Sequence, residues 1–260
     1  MNLGLNNKVF IVTGGAKGIG AAISSGIAAE GGIVVIAGRD KNDNQAMVDQ
    51  IIKAGGRSAS LKVELADPVA CKEVIEFTID KYSKIDGLVN NAGVNDGVGL
   101  ENGSPEKFLG SIQKNLSHYY NLAHYALPHL KSTKGSIVNV GSKVSVTGQG
   151  NTSGYAASKG GINALTREWA VELLPFSIRV NAVLPAEVWT PLYENWINTL
   201  PNPKEKLEQI VSKIPLEKRM TTSEEIAAMV IFLLSEKSSH TTGQIIFVDG
   251  GYTHLDRSLT

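Results

Sequence analysis

The chain has 260 residues, 42% of them hydrophobic, enough to bury a sizeable core within one α/β domain. Lysine plus arginine balances aspartate plus glutamate at 25 each, which excludes a global field drawing the molecule onto nucleic acid or an anionic membrane and favours a small-molecule substrate. The only cysteine, Cys71, has no companion for a disulfide or a thiolate metal site, Met1–Lys8 opens no signal-like apolar run, and no stretch reaches membrane-spanning length, so a metal-free, unprocessed cytoplasmic protein is expected.

In chain order, Val9–Val12 is an apolar run of strand length and Gly18–Glu30 a segment of helical composition. The pair recurs as Ile33–Ala37 with Asn44–Ala54, Ser58–Val63 with Pro68–Tyr82, Gly87–Asn90 with Pro105–Leu130, and Ile137–Val140 with Ser153–Leu174. Arg179–Leu184 and Gln244–Val248 supply two more strands. The apolar runs lack alternating faces and so read as strands buried on both sides. This alternation predicts a single-domain, Rossmann-type, doubly wound parallel sheet of about seven strands, with helices on both faces and right-handed crossovers. No repeat or linker divides residues 1–260. Residues 185–215 break the rhythm with five prolines and two tryptophans before a helix resumes at Ser223. The segment is expected to be an insertion acting as a substrate lid, with an oligomer contact as the alternative.

The first strand runs into Thr13-Gly14-Gly15-Ala16-Lys17-Gly18-Ile19-Gly20 and then a helix. Glycines there let backbone approach a pyrophosphate, and the helix N-terminus offers its unpaired N–H groups. The second strand ends Ala37-Gly38-Arg39-Asp40. Gly38 stands where a carboxylate would accept from the adenosine ribose, Arg39 follows it, and Lys17 faces the same corner. Two cations suit a 2′-phosphate, so NADP is the preferred cofactor and NAD a possible one. The plainer alternative is an Arg39–Asp40 surface pair with either cofactor bound. Glu64, with Leu65 beside it, ends the third strand near an adenine position. Asn90-Asn91-Ala92-Gly93 ends the fourth with small residues that permit close backbone contact.

Tyr155 and Lys159 stand four apart in a helical segment and share a face, Ser142 follows the fifth strand, and Asn115 lies in the long preceding helix. An alcohol losing hydride must also lose its hydroxyl proton, and a tyrosine of pKa about 10 is a weak base at neutral pH. An ammonium ~4 Å away in an effective dielectric of ~20 contributes about 4 kcal/mol, enough to lower that pKa by roughly 3 units. Lys159 is therefore expected to depress Tyr155, with Ser142 holding the substrate oxygen. Lys159 would also hold the nicotinamide ribose, and Asn115 would order a water linking lysine to solvent. Taken singly, each is an ordinary surface or turn residue.

With these residues in place, the chain resembles the short-chain dehydrogenase/reductases: Thr-Gly-x-x-x-Gly-x-Gly at 13–20, Asn-Asn-Ala-Gly at 90–93, Asn115, Ser142, Tyr155 and Lys159. The resemblance extends to Pro185, Val188 and Thr190, which it places against the nicotinamide carboxamide, and it departs at Ala186-Glu187, where a glycine often follows the proline. It implies NAD(P)-dependent oxidation or reduction at a carbinol carbon, and a homotetramer.

Asn95 and Asp96, Gln149, Glu187 and Trp189 surround the expected pocket and give it a polar character suited to a sugar, with Trp189, Tyr193 and Trp196 as a candidate aromatic platform, although turn chemistry and core packing explain such residues individually. Longer strings, Val94–Gly97, His118–Tyr120, Thr147–Tyr155, Pro185–Val188 and the tail Gly251–Arg257, resemble the family's L-fucose-oxidising members. That implies oxidation of the anomeric hydroxyl of L-fucose to L-fucono-1,5-lactone, with L-galactose and D-arabinose as related substrates. The tail Tyr252–Leu259 is long enough to reach a neighbouring subunit. The alternatives are a 3-oxoacyl thioester reductase or other secondary-alcohol dehydrogenase and, remotely, a non-catalytic NADP sensor. The five histidines show no spacing for zinc.

Overall fold

The computed structural model describes residues 2–256, so Arg257, Ser258 and Leu259 of the tail lie outside the described residues. Its elements are β1 (Val9–Thr13), α1 (Gly18–Ala29), β2 (Ile33–Gly38), α2 (Lys41–Lys53), β3 (Arg57–Lys62), α3 (Pro68–Tyr82), β4 (Gly87–Asn90), α4 (Pro105–Ile112), α5 (His118–Thr133), β5 (Ser136–Val140), α6 (Ser153–Glu172), β6 (Arg179–Pro185), α7 (Pro191–Ile197), α8 (Pro203–Val211), α9 (Ser223–Leu234) and β7 (Ile245–Val248). The strands form one parallel sheet of seven in the order β3-β2-β1-β4-β5-β6-β7.

Both faces of the sheet are buried, as the apolar runs require. In β1, Val9 and Ile11 pack with α3, α5 and α6, while Phe10 and Val12 pack with α1, α2 and α9. Local chemistry starts the helices: Asp40 and Asp67 accept N–H groups at the heads of α2 and α3, and Thr222 with Glu225 forms a capping box on α9. Among the described residues, no helix is long and apolar enough to cross a membrane.

Three features depart from the sequence reading. The helix expected over Pro105–Leu130 is interrupted by a π turn at Gln113–Ser117, where the buried Asn115 side chain leaves the helix to accept from Val94 N–H at 2.7 Å. The proline-rich stretch holds two helices, because Pro191 and Pro203 sit in first turns, where their missing N–H costs nothing. Finally, α9 lies on the α1 face although α5 and α6 lie on the other, so the β6-to-β7 connection has the opposite hand to the rest. The long 186–222 segment supplies the slack for that return over the carboxyl edge of the sheet.

Arg179 secures this final return, donating to Leu233 O at 2.7 Å, Ser235 O at 3.1 Å and Ser238 Oγ at 2.9 Å. Replacing it with methionine removes these charge-assisted bonds and leaves Leu233 O and Ser235 O with their weaker contacts to Ser238. Arg179→Met should lower unfolding free energy by roughly 2–4 kcal/mol, which a urea titration of the purified variant will measure.

Candidate active site

At the carboxyl edge, where β1 and β4 lie side by side, a cleft of about 520 Å³ opens. Its floor is the glycine turn. Gly14 and Gly18 adopt left-handed φ values of 60° and 52°, and a β-carbon on Gly20 would sit 2.0 Å from Gly14 O, so only glycine closes this turn. Lys17 gives α1 no side-chain cap and the first turn carries no acid, which leaves its N–H groups available to phosphate oxygens. Thr13 Oγ1 accepts from Asn91 and Ala92 N–H at 2.9 and 3.0 Å, locking the end of β4 to β1.

Every residue expected at the cofactor lines this one cleft: Gly14, Lys17, Gly18, Ile19 and Gly20 from the turn; Arg39, Glu64 and Leu65 at the adenosine end; Asn91, Ala92 and Gly93 in the middle; and Tyr155, Lys159, Pro185, Val188 and Thr190 at the far end. A glycine cradle of this shape, with open amides at one end, fits a dinucleotide. At the ribose corner the side chains are arranged differently from the reading. Lys17 pairs with Asp43 at 2.6 Å, which raises its pKa, and Asp40 caps α2 through Asn42 and Asp43 N–H. Arg39 is exposed and makes no ion pair with Asp40. A side chain at position 38 would meet Asn44 Oδ1 at 2.9 Å.

The chemical end is built from four elements. Asn115 spends its side chain on bracing, accepting from Val94 N–H and donating to Ser111 O at 3.0 Å. Ser142, just past β5, hydrogen-bonds Tyr155, which α6 brings to the cleft together with Lys159. The Lys159 Nζ lies 5.5 Å from the Tyr155 ring centre and donates to Val140 O at 2.9 Å and Tyr119 Oη at 3.4 Å.

The expected charge effect is overturned. Burial raises the Tyr155 pKa above the usual tyrosine value, only partly offset by the Ser142 hydrogen bond. Lys159 is itself pushed down to about 7, because the ammonium is buried without a carboxylate partner. Desolvation disfavours both charged forms and exceeds their mutual attraction. Tyr155 is thus a neutral phenol near pH 7.

The expected substrate residues are more dispersed. Ser142 and Tyr155 line the cleft. Glu187 turns to Lys143 in an ion pair whose side chains are only 13% and 11% exposed, and Lys143 lies 4.0 Å over the Tyr252 ring. Asp96 accepts from Ser111 Oγ at 2.8 Å and sits 3.8 Å from Lys114 Nζ; Asn95 closes its own turn onto Gly97 N–H; Gln149 is exposed. Trp189 and Trp196 flank Tyr193 at 6.1 and 5.1 Å between ring centres. The cleft is also lined by Ala186, by Leu192, Tyr193 and Asn195 of α7, and by Lys114 and His118. The sequence already offers Tyr193 with the two tryptophans as an aromatic platform and singles out the run His118-Tyr119-Tyr120; Lys143 and Asn195 escaped sequence reasoning as site residues, with no local signal to mark them. Burial, with the Lys159 charge, pushes His118 down to about 4.

A family model described as enoyl-(acyl carrier protein) reductase matches residues 14–253. The 3-oxoacyl-[acyl-carrier-protein] reductase FabG of Thermotoga maritima is 37% identical over 248 residues, covering 95% of this chain and 98% of that protein. The L-fucose dehydrogenase of Oryctolagus cuniculus is 32% identical over 245 residues, covering 94% and 84%. The crystal structure of Cj0485 dehydrogenase superposes with a TM-score of 0.94 at 45% identity, covering 100% of this chain and 99% of that one.

Two outcomes follow from the buried charges. Above about pH 7 native Lys159 releases its proton while the unfolded lysine keeps it to about 10.5, so the unfolded state binds more protons and stability should rise from about pH 7 to about 9, beyond which the buried Cys71 thiol, pushed up to about 12, opposes it. Thermal melts of the cofactor-free protein should show the rise, and Lys159→Met should flatten it. Lys143→Met strands the Glu187 carboxylate and should cost roughly 3 kcal/mol; adding Glu187→Gln should recover most of that loss in a double-mutant cycle by urea unfolding.

Proposed function

Because the chain belongs to the short-chain dehydrogenase/reductase family, we propose that this NAD(P)-dependent oxidoreductase oxidises the anomeric hydroxyl of an aldose, with L-fucose giving L-fucono-1,5-lactone. The observation that supports the substrate class is the set of polar side chains among the cleft's lining residues, Tyr193 and Asn195 of α7 with Lys114, His118 and Ser142. Several hydroxyls find donors and acceptors among them. Asn95, Asp96, Gln149, Glu187, Trp189 and Trp196 belong to this reading as residues that approach the sugar when 185–215 closes as a lid. L-Galactose and D-arabinose share most of the recognised stereochemistry.

The bound nicotinamide supplies the hydride acceptor; the chain's own residues do the rest. Ser142 donates to the substrate oxygen and orients it. Tyr155 takes the hydroxyl proton in oxidation as the minor phenolate form, becoming the phenol, and as the phenol gives that proton back in reduction. Lys159 lowers the cost of negative charge on Tyr155 and holds the ribose, and Asn115, through its π turn, keeps the α5 carbonyls in place for an outward proton path. NADP is the preferred form, with Arg39 as the main 2′-phosphate contact, since Lys17 is already engaged by Asp43. Assembly into a homotetramer is part of the same reading, supported by Phe108 and Leu109 of α4 and Val171 of α6, all exposed. The 37% identical relative favours a second reading, reduction of a 3-oxoacyl thioester by the same residues.

L-Fucose should exceed 3-hydroxyacyl thioesters in kcat/KM by roughly a hundredfold or more, followed as cofactor reduction with NADP and NAD; the reverse ranking selects the thioester reading. Arg39→Ala should raise the KM for NADP by roughly tenfold with little effect on NAD. Since burial keeps Tyr155 protonated, oxidation should accelerate as pH rises from 7 towards 10 and carbonyl reduction should slow, and Tyr155→Phe should abolish both.

A further inference from the structure

Tyr119 is wholly buried, yet it sits beside the chemistry. Its hydroxyl donates to Val140 O at 2.9 Å, and the Lys159 Nζ donates both to that same carbonyl, at 2.9 Å, and to the Tyr119 oxygen, at 3.4 Å. The ammonium therefore stands between two tyrosine rings, 5.6 Å from the centre of Tyr119 and 5.5 Å from that of Tyr155.

The groups facing this ammonium are few. Tyr155 comes from its own helix, Tyr119 and His118 from α5, and Val140 O from the end of β5; among the described residues no carboxylate lies within ion-pairing distance. A β-carbon on Gly93 would sit 3.7 Å from the Nζ, which closes a further side. A buried cation without a counter-ion depends on neutral oxygen acceptors and aromatic faces. Tyr119 offers one of each.

We propose that Tyr119 is a second tyrosine of the active centre, a positioning residue whose hydroxyl and ring fix the Lys159 ammonium against the end of β5 and keep it charged beside Tyr155. The proposal rests on the role given to Lys159 under the proposed function but not on the identity of the alcohol. Tyr119 neither lines the open cleft nor hydrogen-bonds Tyr155; it reaches the chemistry through its contact with Lys159 and the Val140 carbonyl they share. His118 reinforces the arrangement, its ring packed 4.8 Å from that of Tyr119.

The test follows the protonation of Lys159 directly. Cofactor-free protein is pulsed with acetic anhydride over a range of pH, and acetylation of Lys159 is read by mass spectrometry as a measure of its neutral fraction. Tyr119→Phe should move the midpoint to lower pH by on the order of one unit, and the alkaline limb of the kcat/KM profile should move with it. Tyr119→3-fluorotyrosine keeps the shape and weakens the acceptor oxygen; it should shift the midpoint the same way by less, and it stands in if the phenylalanine variant does not fold. Tyr120→Phe, on the exposed face of the same helix, should leave the midpoint in place. A lower melting temperature with an unmoved midpoint in both Tyr119 variants overturns the proposal and leaves a packing residue. If Lys159→Met retains turnover, the role of Lys159 fails and this inference fails with it; if Lys159→Met is inactive while the Tyr119 midpoints do not move, only this inference fails.

Discussion

The site depends on the reversal of strand order beside β1. Chain progress runs from β1 to β3 in one direction and from β4 to β7 in the other, so helices leave the β1 and β4 tips in opposite directions and no connection crosses the gap between them. The gap remains as a crevice. Thr13 spans its base by accepting the Asn91 and Ala92 amides, and this fixes the glycine turn against the Asn-Ala-Gly corner. Cradle, Tyr155 and α7 are all placed relative to that seam.

Burial, more than pairing, sets the electrostatics of the chemical end. Tyr155, Lys159 and His118 are each driven towards their neutral forms by removal from water. Near pH 7 the phenol keeps its proton while the lysine is poised between its charged and neutral forms, so the two are not a fixed ion pair. A phenol donates a proton to a carbonyl oxygen and its phenolate accepts one from an alcohol, so one constellation can serve either substrate at different pH.

The inner strands were legible in the sequence because a parallel sheet covered on both faces demands apolar runs, whereas β3, partly exposed at the edge, carries a mixed run placed by its position between two helices; the expected bounds lie within a residue or two of the observed strands. The cofactor cradle was legible because it is made of backbone and glycine, whose geometry is local. Side-chain partners across the fold were not. Glu187 and Lys143 are 44 residues apart and Lys143 meets Tyr252 through the final turn of the chain, so nothing near Glu187 in sequence reveals its pairing. Asp96 likewise takes its partners from α4 and the π turn. The Tyr155–Lys159 spacing showed adjacency but said nothing of depth, and depth decided the sign of the pKa shift. The Pro105–Leu130 pattern concealed the π turn because one extra residue per turn leaves composition unchanged.

The opposite hand of the β6-to-β7 connection ties the cleft to the C-terminal end of the chain. Because α9 returns to the α1 face, the 186–222 segment runs from the tip of β6, beside the last strand, over the carboxyl edge to the head of α9. Val188 bridges to Thr221, Leu216 N–H donates to Gly250 O just past β7, and Tyr252 of the same turn lies under the Lys143 ammonium. The cleft residues of α7 therefore share one mechanical unit with the turn after β7, and a change that loosens the docking of the last strand reaches the cofactor cleft from far along the chain.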